Sequence, residues 1–105
     1  PAISIKWQKK YGINSLVFKF PAKREVSGSP GGSVAEVIVS VGGTGNTSRF
    51  TNTSYSTKDL TVDVSSLTNN TFYNITFSLR ARVDATSTAS VTCYLRDEIT
   101  IVEQS

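Results

Sequence analysis

The run Tyr73-Asn74-Ile75-Thr76-Phe77-Ser78-Leu79-Arg80-Ala81-Arg82-Val83 decides the fold. Tyr73, Ile75, Phe77, Leu79, Ala81 and Val83 alternate with Asn74, Thr76, Ser78, Arg80 and Arg82. On a helix, residues two apart lie on nearly opposite sides, so this pattern would scatter the apolar set around the axis. On a strand it places one face in a core and the other in water.

Alternation continues on both sides of this run. After the short polar connection Asp84 to Ser87 it resumes as Ala89, Val91, Cys93 and Leu95 against Ser90, Thr92, Tyr94 and Arg96. The two segments read as a long antiparallel hairpin. Its apolar sets share a face when paired residue numbers sum to an even value, which gathers Arg80, Arg82, Ser90, Thr92 and Tyr94 on the polar face.

Upstream, Val37, Val39 and Val41 mark one strand, and Leu60, Val62 and Val64 another. Leu16, Phe18 and Phe20 mark a third, which Pro21 is expected to stop. Ile3, Ile5 and Trp7 supply an N-terminal strand, Ile99 and Ile101 a C-terminal one, and Arg49 to Tyr55 is a possible eighth. The segments Ser27 to Ser33 and Gly42 to Ser48 read as loops, and Thr68 to Thr71 as an Asn-Asn turn. The expected fold is all-β: a two-sheet antiparallel β-sandwich, jelly-roll or immunoglobulin-like, of 7 to 8 strands.

The chain's 105 residues make one domain, 1–105. It begins with Pro and has no Met, which leads us to expect a processed chain or part of a longer one. Hydrophobic residues are 38% and charged residues 18%, below the roughly 45–50% and 25% of ordinary soluble proteins. Ser and Thr, 28 of 105 positions, fill the difference. His is absent, which removes imidazole bases, Ser-His and Cys-His pairs and His metal ligands, so no enzyme is expected. A formal net charge of +3 is short of the dense basic surface of a nucleic-acid binder. No apolar run is long enough for membrane insertion as a helix, and one Cys, Cys93, cannot close an internal disulfide.

Residues 1–24 carry Lys6, Lys9, Lys10, Lys19, Lys23 and Arg24 without an acid. They read as a solvated segment balanced elsewhere, since aromatic residues interrupt them. Trp7 and Tyr73 fall in phase with core positions, and Cys93 reads as a buried small hydrophobe. Four Asn-x-Ser/Thr sequons, at Asn46, Asn52, Asn69 and Asn74, are unsurprising in so hydroxyl-rich a chain.

The polar face of the expected hairpin is the candidate binding surface. Sugar hydroxyls are well matched by planar guanidinium and hydroxyl groups, and the apolar face of a sugar ring by an aromatic ring. Arg80, Arg82, Thr92, Tyr94 and Arg96 supply those types, and Tyr55, in a polar loop, joins them as an exposed ring. Three Arg without a facing carboxylate would repel one another, so a hydroxyl-rich or anionic partner would relieve them. A structural Ca²⁺ held by Asp97, Glu98 and loop carbonyls is the one cofactor the acids suggest.

Lys58-Asp59-Leu60-Thr61-Val62-Asp63-Val64-Ser65-Ser66-Leu67, followed by Tyr73-Asn74-Ile75-Thr76-Phe77 and closing with Ala89-Ser90-Val91 and Ile99-Thr100-Ile101, resembles the second half of a jelly-roll carbohydrate-binding module. It is similar also to β-sandwich domains in tail and baseplate proteins of bacteriophages that infect Gram-positive bacteria. The resemblance covers roughly residues 58 to 101. It implies a non-catalytic module recognising a cell-surface or polysaccharide glycan, placed extracellularly or on a virion surface. The rival implication is a structural sandwich that assembles with its own copies in a phage tail, virion or appendage.

Overall fold

The computed structural model describes residues 2–27, 34–82, 90–95 and 99–105. Within them the fold is all-β: β1 (Ala2–Gln8), β2 (Ser15–Ser27), β3 (Val34–Val41), β4 (Thr44–Phe50), β5 (Ser56–Asp63), β6 (Phe72–Arg82), β7 (Ser90–Leu95) and β8 (Thr100–Gln104). The strands form two antiparallel sheets. The first has the order β1-β6-β3-β4. In the second, β2 is flanked by β5 on one side, while β8 and β7 share its other side, β8 opposite Ser15 to Lys19 and β7 opposite Ala22 to Ser27.

The alternations dictate what lies between the sheets. Ile75 and Phe77 on β6 stand opposite Ile5 and Ile3 on one side and Val41 and Val39 on the other. Facing them across the core are Leu16, Phe18, Phe20 and Ala22 of β2 with Leu60 and Val62 of β5. Phe77 is the central contact, with its ring 5.4 Å from Phe20, edge to face, and 6.5 Å from Phe18. Each such aliphatic or aromatic side chain contributes about 1.5–3 kcal/mol on burial.

Three expectations change. The hairpin of residues 73–95 does not form, because β6 belongs to the first sheet and β7 to the second. Alternation shows which face of a strand is apolar, but not whether two such strands lie side by side in one sheet or face each other across the core.

Pro21 does not stop β2, which runs on to Ser27. The Arg24 amide donates to the Asn52 carbonyl at 2.7 Å, and the Asn52 side-chain amide donates to the Ala22 carbonyl at 2.8 Å, so even-numbered residues here turn their backbone groups toward the β5 side. By alternation Pro21 nitrogen faces the other side. There β8 has ended opposite Lys19 and β7 begins opposite Ala22, so the missing N–H costs no ladder bond.

The stretch from Gly42 to Ser48 is not one loop. Gly42 and Gly43, with φ of 54° and 95°, make a two-residue turn between Val41 and its partner Thr44, and β4 follows at once. A Cβ on Gly42 would also collide with the Tyr73 ring. The Asn-Asn turn is as expected, with Asn70 at φ 61°. The segment 28–33 lies outside the described residues.

The two long sides of the sandwich differ. On the β4/β5 side, the Thr44 hydroxyl donates to the Asp63 carbonyl at 2.8 Å and Asn46 Nδ2 to the Thr61 carbonyl at 3.0 Å, while Lys58 Nζ lies 5.5 Å from the centre of the Phe50 ring. On the β1/β8 side, Trp7 Nε1 donates to Glu103 Oε2 at 3.3 Å. Beside it an apolar groove of about 190 Å³ opens between the sheets, lined by Ile3, Ile5, Ile75 and Phe77 on one wall and by Phe18 and Ile101 on the other.

Candidate functional site

The expected binding residues divide between the sheets. Arg80 sits on the outer face of the first sheet, in a row with Glu36 of β3 and Arg49 of β4. Its Nε donates to Glu36 Oε1 at 3.1 Å, and Arg49 Nε donates to Glu36 Oε2 at 2.8 Å. The expectation that Arg80 faces no carboxylate is therefore corrected. Glu36 lies fully buried beneath the two guanidinium groups, which remain half exposed. Burial opposes its ionisation, but the two donors and their charges outweigh it and hold the carboxyl below its ordinary value.

Thr92 and Tyr94 lie on the second sheet, so they do not share a face with Arg80. They meet Tyr55 instead. Asn52 arranges this: besides its two bonds with β2, its Nδ2 donates to the Ser54 carbonyl at 2.8 Å, so the segment entering β5 is laid along β2. The β2/β5 register then brings Tyr55 level with Lys23, whose partner on the other side is Tyr94. Lys23 Nζ lies 4.8 Å from the Tyr55 ring centre and 5.6 Å from that of Tyr94. The ammonium also pairs with Glu25 Oε1 at 3.0 Å, and Glu25 stands opposite Thr92. That hydrogen bond leads the causes that hold Lys23 above its ordinary 10.5.

The result is a row of ring, ammonium and ring across three chain segments, with a carboxylate and a hydroxyl in the next row. The two Tyr lie two strand spacings apart, about 10 Å. Thr92, Tyr94 and Tyr55 are brought together, Arg80 is not, and Arg96 and the Arg82 side chain lie outside the described residues. Sequence reading missed Lys23 and Glu25 because it ended the strand at Pro21. The alternation of Phe18, Phe20 and Ala22 with Lys19, Lys23 and Glu25 was the signal that could have found them.

Two of the N-terminal cations are in structural use. Lys9 is buried, its Nζ donating to Asn69 Oδ1 at 2.8 Å and to the Lys10 carbonyl at 3.0 Å, and Lys19 pairs with Asp59 at 3.4 Å. Asn46, Asn52 and Asn69, three of the four sequon residues, are thus engaged with the fold through their side chains. Trp7 and Tyr73 are partly buried against the core, the Tyr73 hydroxyl accepting the Thr68 amide at 2.9 Å. Cys93 is likewise half-buried, and burial pushes its thiol up.

Among the described residues no three His, Cys, Asp or Glu come together as a metal site, and Asp97 and Glu98 fall outside them. A broad open depression of about 780 Å³ lies over β3 and β4, lined by Ile38, Ser40, Thr47 and Arg49 among others, without an aromatic ring. Among the described residues no helix is long and apolar enough to cross a membrane. Set against protein-family models, curated proteins and solved structures, the chain matches none of them.

Proposed function

We propose that the chain is a non-catalytic carbohydrate-binding module and that its glycan lies across the Tyr55, Lys23 and Tyr94 row. The carrying observation is that row: two Tyr whose backbone positions lie two strand spacings, about 10 Å, apart, on the scale of a disaccharide, with a cation between their rings. Tyr55 and Tyr94 would stack on apolar sugar faces, while Lys23, Glu25 and Thr92 offer donors and acceptors to hydroxyls. Arg80 takes no part, being held by Glu36. The absence of His and the choice of side chains favour holding a ligand over transforming it. Such a module belongs on an extracellular or virion surface, in keeping with the resemblance of residues 58–101 to carbohydrate-binding modules.

A glycan array followed by calorimetry on the chain tests this reading. Binding is expected, with at least a tenfold loss on Tyr94→Ala or Tyr55→Ala and no change on Arg80→Ala. Absence of binding, or binding indifferent to both Tyr substitutions, overturns it.

A further inference from the structure

We propose that β1 is a self-pairing edge: two copies of the chain join β1 to β1 antiparallel about a two-fold axis, with Ile5 opposite Ile5 of the second copy, making one eight-stranded sheet. The inference concerns the side of the sandwich away from the sugar row and does not depend on that row.

The backbone defines which groups are available. Lys9 donates its amide to the Thr71 carbonyl at 3.0 Å and accepts the Asn70 amide at 2.6 Å, so odd-numbered residues at this end turn toward β6. By alternation along the β1/β6 ladder, Ala2, Ser4, Lys6 and Gln8 present N–H and C=O groups to the open edge.

Side chains make the edge self-complementary. Any even register keeps Ile3, Ile5 and Trp7 on the inner face of both copies. The register centred on Ile5 uses the entire strand, setting Ala2 opposite Gln8, Ile3 opposite Trp7 and Ser4 opposite Lys6. Lys6 is the one charge on β1, and this register places it against Ser4; the register centred one residue later would set it against its own copy. The axis stands perpendicular to the sheet, so both second sheets lie on the same side and the two apolar grooves face each other. Ile3 and Ile5, 55% and 45% exposed in the single chain, are then covered.

Among the described residues, the β4, β5 and β8 edges carry protection and the β1 edge carries none. Edge strands are normally blunted by proline, inward charges or covering groups. The β4 and β5 edges are covered by Thr44, Asn46 and their carbonyl partners. The five-residue β8 carries Glu103, in phase with the inward Ile101. β1 has seven residues, no proline within it, no inward charge and an aliphatic inner face.

The test uses the chain itself in sedimentation velocity over a concentration series. Wild type should reach twice the 11.3 kDa of one chain. Ser4→Pro removes only an edge-facing N–H and leaves the β6 ladder whole, so it should remain folded by circular dichroism and sediment as a monomer. In a Cys93→Ser background, Ile5→Cys should form a disulfide-linked dimer on mild oxidation, because a non-hydrogen-bonded pair sets its Cα atoms about 4.5 Å apart. Ile3→Cys should not. A monomer at every concentration, a dimer that survives Ser4→Pro, or cross-linking through position 3 in place of 5 would each overturn the proposal. So would a monomer that binds only an extended peptide of another sequence, which would give the edge to a different partner.

Discussion

Both outer faces of the sandwich carry a row of three side chains from adjacent chain segments with an ion in the middle, and the rows differ in how that ion is held. On the first sheet, Arg80 and Arg49 close over Glu36 with charge-assisted bonds of 3.1 and 2.8 Å. The carboxylate is spent, and the row is a structural tie. On the second sheet, Tyr55 and Tyr94 flank Lys23 through ring faces, and the ammonium pairs with Glu25 in the next row. Similar architecture thus ties one row together by charge and sets the cation of the other, the proposed sugar row, between two rings. The difference lies in whether the flanking groups answer the central charge with charge or with π electrons.

The largest expected effect comes from what both rows rest on. Phe77→Ala empties the contact between Phe18 and Phe20 and should cost about 3–5 kcal/mol in urea unfolding, damaging both faces alike. A loss under 1 kcal/mol would mean the sheets are held chiefly by their edges.

Glu36→Gln separates the rows. It should cost about 1–3 kcal/mol, since a charged acceptor with two donors is replaced by a neutral one, while any glycan affinity stays unchanged. pH sharpens this. The folded Glu36 carboxyl titrates below the ordinary 4.5, so its contribution is full above 4.5 and is lost as pH falls through the folded value. Asp63, held below 3.8 by the Ser65 hydroxyl and amide, adds to the same acid loss. Wild type should therefore lose stability more steeply than Glu36→Gln below pH 4.5. Parallel curves would show that the carboxylate gains nothing from its two Arg.

Asn52→Ala tests how the second row is aligned. Its side chain spans Ala22 and Ser54, so its removal should cost about 1 kcal/mol per lost bond and weaken binding severalfold by releasing Tyr55. The smallest stability effect belongs to Tyr94→Ala, within about 1 kcal/mol for a partly exposed strand residue, paired with the largest loss of affinity. A Tyr94→Ala chain as badly destabilised as Phe77→Ala would make that ring a structural element instead.

The alternations at Tyr73 to Arg82, Val37 to Val41 and Ile3 to Trp7 identified strands and their inward faces, because period-two burial is a local property. Neighbours were less legible. Nothing in Ala81 or Val91 says whether two sticky faces lie side by side or in opposed sheets, and the hairpin expectation failed on that ambiguity. β4 was hidden for a different reason. Its inward positions Thr44, Asn46 and Ser48 are polar, and the first two bond to β5 carbonyls, so the strand has the composition of a loop. Tyr55, Thr92 and Tyr94 were named from residue type, while Lys23 and Glu25 needed the register of β2 across Pro21.

The central place of β2 has a kinetic consequence. Lys19 pairs with Asp59, Lys23 with Tyr94 and Phe18 with Ile101, so every partner of β2 is far away along the chain. Among the described strands, β3 and β4 form the one pairing across a tight turn. Domains dominated by such distant pairings close costly loops before they gain contacts and fold in milliseconds to seconds. On the ribosome, Leu16, Phe18 and Phe20 wait for β5 and then for β8 before their sheet is complete. During that interval the apolar face of Leu16, Phe18 and Phe20 is what chaperones, or aggregation, would reach.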